Sequence, residues 1–71
     1  MANYEVAVFN QEVRDLVQNG QSHRDFTDDW ADIHLIEISA PDLATALSKI
    51  RSRYPETRGF VINGVHEADG L

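Results

Sequence analysis

The chain has 71 residues, no cysteine and a formal charge of −6 at neutral pH. That length allows one domain with one modest core, and the lack of cysteine removes disulfides and thiolate metal sites. The charge disfavours contact with nucleic acid phosphate and anionic membrane surfaces.

In chain order, "NYEVAVF" (Asn3 to Phe9) sets Tyr4, Val6 and Val8 against Glu5 and Ala7, a period of two that predicts a strand. "NQEVRDLVQNG" (Asn10 to Gly20) changes period: Val13, Leu16 and Val17 lie at helical spacing. Asn10 is placed to cap the start and Asn19-Gly20 to stop it. A short helix is favoured over the rival, a strand extended through Val13 and closed as a hairpin at "QNG".

"QSHRDFTDDWAD" (Gln21 to Asp32) is polar with two aromatic interruptions and reads as a long loop. Ile33 to Ser39 then forms a second strand. Ile33 and Leu35 point to one face, Ile36 and Ile38 to the other, a pattern that suits a central or well-covered strand.

"SAPDLATALSKIRSRYPE" (Ser39 to Glu56) is the clearest helix. Ser39 and Asp42 have capping-box spacing, and Pro41 falls in the first turn. Leu43, Leu47, Ile50 and Tyr54 form an apolar stripe, with Ala44 and Ala46 small enough for close approach to a sheet. Lys49, Arg51 and Arg53 crowd the end, where the macrodipole favours cations, and Pro55 ends the run. A third strand is predicted from Phe60 to Val65, with Asn63-Gly64 marking a bulge or its end. The tail "ADGL" is expected to fray.

The predicted architecture is one small α+β domain spanning residues 1–71. It has a three-stranded mixed sheet packed by one main helix, in the order β-(α)-β-α-β. Strands two and three run parallel through a right-handed crossover, with strand one between them and antiparallel to both. This is half of a ferredoxin-like arrangement. Its second sheet face calls for a cover, from the short helix or from a second subunit through dimerisation.

Charge is lopsided. Residues 1–39 carry eight acidic and two basic residues, and residues 40–71 carry four of each, so the excess lies in the first half. Asp25, Asp28, Asp29 and Asp32 are the densest part, with Phe26 and Trp30 among them. Mutual repulsion and the weak helix propensity of Asp allow one helical turn there at most, begun at Thr27 or Asp28. The simplest expectation is a solvated loop pinned to the core by Phe26 and Trp30. A metal reading can draw on these aspartates with His23 or His34, but EF-hand spacing, HExxH and HxxxH are all absent. A third reading makes the acidic face a mimic of nucleic acid that blocks a basic protein groove.

His34 and His66 fall on elements expected to be neighbours and could approach each other. No nucleophile–base pairing is legible, and Gly20, Gly59, Gly64 and Gly70 are too scattered for a phosphate loop. Lys49, Arg51, Arg53 and Arg58 suit the helix dipole first and an anion or acidic segment second.

The leading expectation is therefore a non-catalytic interaction module with no cofactor and no metal. It joins a protein partner or a second copy of itself as a homo-oligomer, and binds neither nucleic acid nor membrane. Asp25, Asp28, Asp29, Trp30 and Asp32 are the candidate interaction surface. An acidic inhibitor is the alternative and a small metal-dependent enzyme the second. A cytoplasmic location is expected, because the start lacks a basic, apolar leader and the chain opens on Met1.

Overall fold

The structure is a computed structural model and describes residues 1–68. Among the described residues three strands and two helices alternate: β1 Ala2–Asn10, α1 Gln11–Gln18, β2 His34–Ala40, α2 Leu43–Arg53 and β3 Phe60–Glu67. Single 3₁₀ turns, Asp28–Ala31 and Glu56–Arg58, precede β2 and β3.

The sheet order is β2-β1-β3. β1 is central and antiparallel to both neighbours. β2 and β3 point the same way but are separated by β1, and both ladders are antiparallel, so the sheet is an open antiparallel one and, among the described residues, holds no parallel ladder of the kind a mixed sheet would have. This is the half-ferredoxin order expected of the sequence. β2 is an edge strand, although aliphatic residues on both of its faces suit a central one. β3 extends past Val65 to Glu67. Its register shifts where Ala7 pairs with Gly64 and Val8 with Ile62, leaving Asn63 as the extra residue of a bulge. Ala68 N–H still donates to Asn3 O at 2.8 Å. The remaining tail expected to fray, residues 69–71, lies outside the described residues.

One face of the sheet carries the core. Tyr4, Val6 and Val8 of β1, Ile38 and Ala40 of β2 and Phe60 of β3 pack against Ala46 and Ile50 of α2. Val6, Val8, Ala46 and Ile50 have no exposed surface. The stripe expected on α2 is rotated: Leu43 is 45% exposed, and Ala46 takes its place against the sheet. A methyl group lets the helix backbone approach the strands closely, and a leucine there would hold it off.

The start of α2 also differs. Ala40 pairs with Ala2, which commits Ser39 and Ala40 to β2, and the Ser39 hydroxyl donates to Asn3 Oδ1. Ser39 is thus unavailable as a cap. Asp42 caps instead, its carboxylate accepting the Thr45 N–H at 2.8 Å. Pro41 stands before the cap, outside the first turn.

α1 forms as the helix reading requires. Asn10 caps it, accepting the Val13 N–H at 3.0 Å, and Asn19 and Gly20 end it, with Gly20 at φ +71°. Asn10 is itself fully buried and has a second bond, from its Nδ2 to the Arg58 carbonyl at 3.0 Å. Gln11 N–H meets the Gly59 carbonyl at 2.7 Å. The β1–α1 junction is thereby tied to the start of β3.

Candidate interaction surface

The acidic segment folds as a turn hung on aromatic anchors. Phe26 and Trp30 are partly buried against the core. Trp30 stacks on His34 with ring centroids 4.2 Å apart and meets Tyr54 and Phe60 at 5.4 and 5.2 Å. Phe26 meets Phe60 edge-on at 5.0 Å. These contacts use the preferred offset and edge geometries of aromatic rings. Trp30 is therefore engaged with the core, whereas Asp25, Asp28, Asp29 and Asp32 are all exposed. Thr27 occupies the cap position of the 3₁₀ turn without a side-chain cap bond.

The aspartates do not converge. Asp25 pairs with Arg58 at 3.1 Å, and Asp28 accepts from Ser22 Oγ at 3.4 Å. Among the described residues no three His, Asp or Glu side chains are grouped to hold a metal ion. One member of the basic strip thus meets the acidic segment of its own chain. Another, Lys49, reaches from α2 to the Ser39 carbonyl at 3.1 Å.

The histidines are held apart. His34 pairs with Val8 on the core side, and its Nε2–H donates to the Asp29 carbonyl at 2.9 Å. His66 pairs with Glu5 on the opposite side, its Nε2 3.1 Å from Glu5 Oε1. The central strand separates the two, so they do not approach as neighbouring elements would allow. His23 Nδ1 accepts the Asp25 N–H at 3.0 Å, and its Nε2 lies 3.1 Å from Glu12 Oε1. An accepting Nδ1 places the proton on Nε2. Ser22 bonds Asp28, so its neighbour His23 gains no nucleophile from it.

The second sheet face is the surface that this fold leaves available. Paired residues of adjacent strands share a face, and faces alternate along a strand. The register therefore builds ordered rows on the side away from α2. One row is Glu37, Glu5 and His66, and the next is Leu35, Ala7 and Gly64. Phe9 and Val61 form the row beyond, and Ile33 stands one residue before β2. The face is half acidic and half apolar.

Its cover is partial. Arg14 of α1 lies over the Phe9 ring, its guanidinium carbon 3.8 Å from the centroid, and donates to the Ala31 carbonyl at 2.9 Å. That shields Phe9 to 7% exposure but leaves Leu35 63%, Ile33 47% and Val61 37% exposed. The thinnest Cα extent is 14 Å, room for one sheet and one helical layer and no third. The sequence does carry a signal for this surface, in the aliphatic residues on both faces of β2. It did not point to Glu5 and Glu37, whose juxtaposition depends on register. Among the described residues, no helix is long and apolar enough to cross a membrane.

No family model, no curated protein and no solved structure matches this chain.

Proposed function

We propose that the chain is a non-catalytic accessory module that acts by protein–protein association, with the open sheet face as its contact surface. The observation that carries this reading is the exposure of Leu35 and Val61 on a face that, among the described residues, α1 covers only at Phe9. Contiguous exposed aliphatic surface costs solubility unless a partner buries it. A domain this small also gains stability from association, by mass action on its folded state. The acidic turn is the weaker contact surface, because Asp25 is already paired with Arg58 and Trp30 is committed to the aromatic cluster.

The test compares the tagged wild-type chain with Leu35→Asp, both isolated from the source organism and both examined by sedimentation. Self-association or a stoichiometric partner in the wild type, lost in Leu35→Asp with circular dichroism unchanged, is the expected result. A monomer at tens of micromolar with nothing co-isolated overturns the reading. Salt-sensitive association that survives Leu35→Asp and disappears in the Asp28→Asn, Asp29→Asn double variant moves the contact to the acidic turn. That outcome identifies an acidic inhibitor of a basic protein instead.

A further inference from the structure

The geometry points to the occupant of the open face, given the association reading above: a basic amphipathic helix of another protein, rather than a second copy of this chain. Three features of the face converge on it.

The first is shape. Three strands at about 4.8 Å spacing make a face about 10 Å wide, the width of one helix with its side chains. Its middle is shallow. Ala7 has only a methyl group, and Gly64 beside it has no side chain, with nothing within 4 Å of where a Cβ would stand. Leu35 rises on the β2 side of this row. The row steps down from Leu35 across β1 to the open β3 edge, which leaves room for the side chains of a helix laid along the strands.

The second is the distribution of apolar and acidic residues. Leu35, Ala7 and Val61 occupy one half, and Glu5 and Glu37 cross the other. A helix with an apolar stripe flanked by lysine or arginine satisfies both halves at once.

The third is an unbalanced charge. Asn3 accepts at its carbonyl from the N–H of Ala68, the residue just past β3, so alternate β1 residues turn their backbone groups toward β3. Glu5 belongs to that set. Glu5 and Glu37 are thus a non-hydrogen-bonded pair, the kind that brings opposed side chains closest. His66 sits beside Glu5 only, and among the described residues Glu37 has no cationic partner. Like charges opposed across a ladder are destabilising. A basic helix supplies the missing cation. A second copy stacked about an axis along the strands would set four carboxylates together and compound the repulsion, whereas one stacked about an axis across them would bring these carboxylates to the Phe9–Arg14 end, the arrangement that sedimentation tests below.

The test titrates the isotope-labelled full chain with a synthetic helical peptide. The peptide carries leucines at i, i+3, i+4 and i+7, with lysines along both borders. A shuffled peptide of the same composition is the control. Binding in the micromolar range with amide shifts centred on Ala7, Leu35 and Gly64 is expected. The shuffled peptide, and separately the Glu5→Gln, Glu37→Gln double variant, should each bind roughly tenfold more weakly, the scale of two exposed charge contacts. Equal binding of both peptides, or shifts centred on Asp25 to Asp32, overturns the proposal. Sedimentation of the same sample separates the remaining outcomes. A dimer abolished by Leu35→Asp, with no peptide binding, overturns the helical partner and leaves association through this face standing. A monomer that binds no peptide and co-isolates with nothing from the source organism overturns both.

Discussion

At the scale of single residues, Asn10 is the most consequential side chain. It is the last residue of β1, the cap of α1 and the donor to Arg58 O, and it does all three from full burial. The cap role is legible in "NQEV", since Asn before a helical period is an ordinary start signal. The bond to Arg58 is not, because it joins residues 48 apart. Gly59 completes the arrangement. It takes φ +94°, and a Cβ there would lie 2.7 Å from Asn10 Oδ1 and 2.7 Å from Glu12 Cγ. Gly59→Ala therefore meets both a left-handed backbone and a buried acceptor. It should cost about 2 kcal/mol or more, read as a lower urea midpoint at unchanged slope. Asn10→Ala should cost a similar ~2 kcal/mol, about half from the lost cap and the rest from the Arg58 carbonyl left without its donor. The double variant should fall short of the sum, because both changes break the same junction.

At the scale of elements, the type and order of each were readable and the helix rotation was not. Period-two alternation at Tyr4, Val6 and Val8 and the shift to helical spacing after Asn10 state their elements directly. In α2 the periodicity fits more than one face, and the larger residues make Leu43 look like a core position. Packing decides otherwise, since the space between α2 and the sheet admits Ala46. Ile50→Ala should then cost about 2–5 kcal/mol, the range for emptying a buried aliphatic site. Leu43→Ala should stay within about 0.5 kcal/mol. Chemical denaturation of the two variants separates the observed rotation from the stripe that the sequence suggests. The cap of α2 makes a prediction about acid. The Thr45 side chain, and then its backbone N–H, hydrogen-bond the Asp42 carboxylate and hold its pKa below the usual carboxylate value. A depressed folded-state pKa contributes stability that is fully present above the unfolded value of about 3.9 and is lost as pH falls through the lower folded one. Asp42→Ala should therefore lower the thermal midpoint at neutral pH, and the gap from wild type should close only in the acid limb. A gap that stays constant down to pH 2 would show that the carboxylate contributes no charge-dependent cap.

At the scale of the whole molecule, the lopsided charge acquires a location. Counting along the chain places the excess in the first half, and the aspartates near Trp30 draw attention because they are adjacent in sequence. The fold then sets Glu5 beside Glu37, 32 positions away, on a face that also exposes Leu35. Contacts between distant strands depend on register, and register follows from the buried alternation on the other side of the sheet. That is why this surface was only half visible, as an unexplained second apolar face on β2. The Glu5–Glu37 pair sets the fold of the isolated chain against its association. Glu37→Lys turns a repulsive cross-strand pair into an attractive one and should raise stability by about 0.5–1 kcal/mol. For a domain of this size that is a gain of a few degrees in thermal midpoint. The same substitution removes one of the two carboxylates offered to a basic helix and adds a like charge, so binding of the lysine-bordered peptide should be lost rather than weakened. A destabilising pair retained because it recognises a partner predicts these opposite signs. If Glu37→Lys stabilises the chain and leaves peptide binding intact, the pair is a defect of the sheet and has no part in recognition.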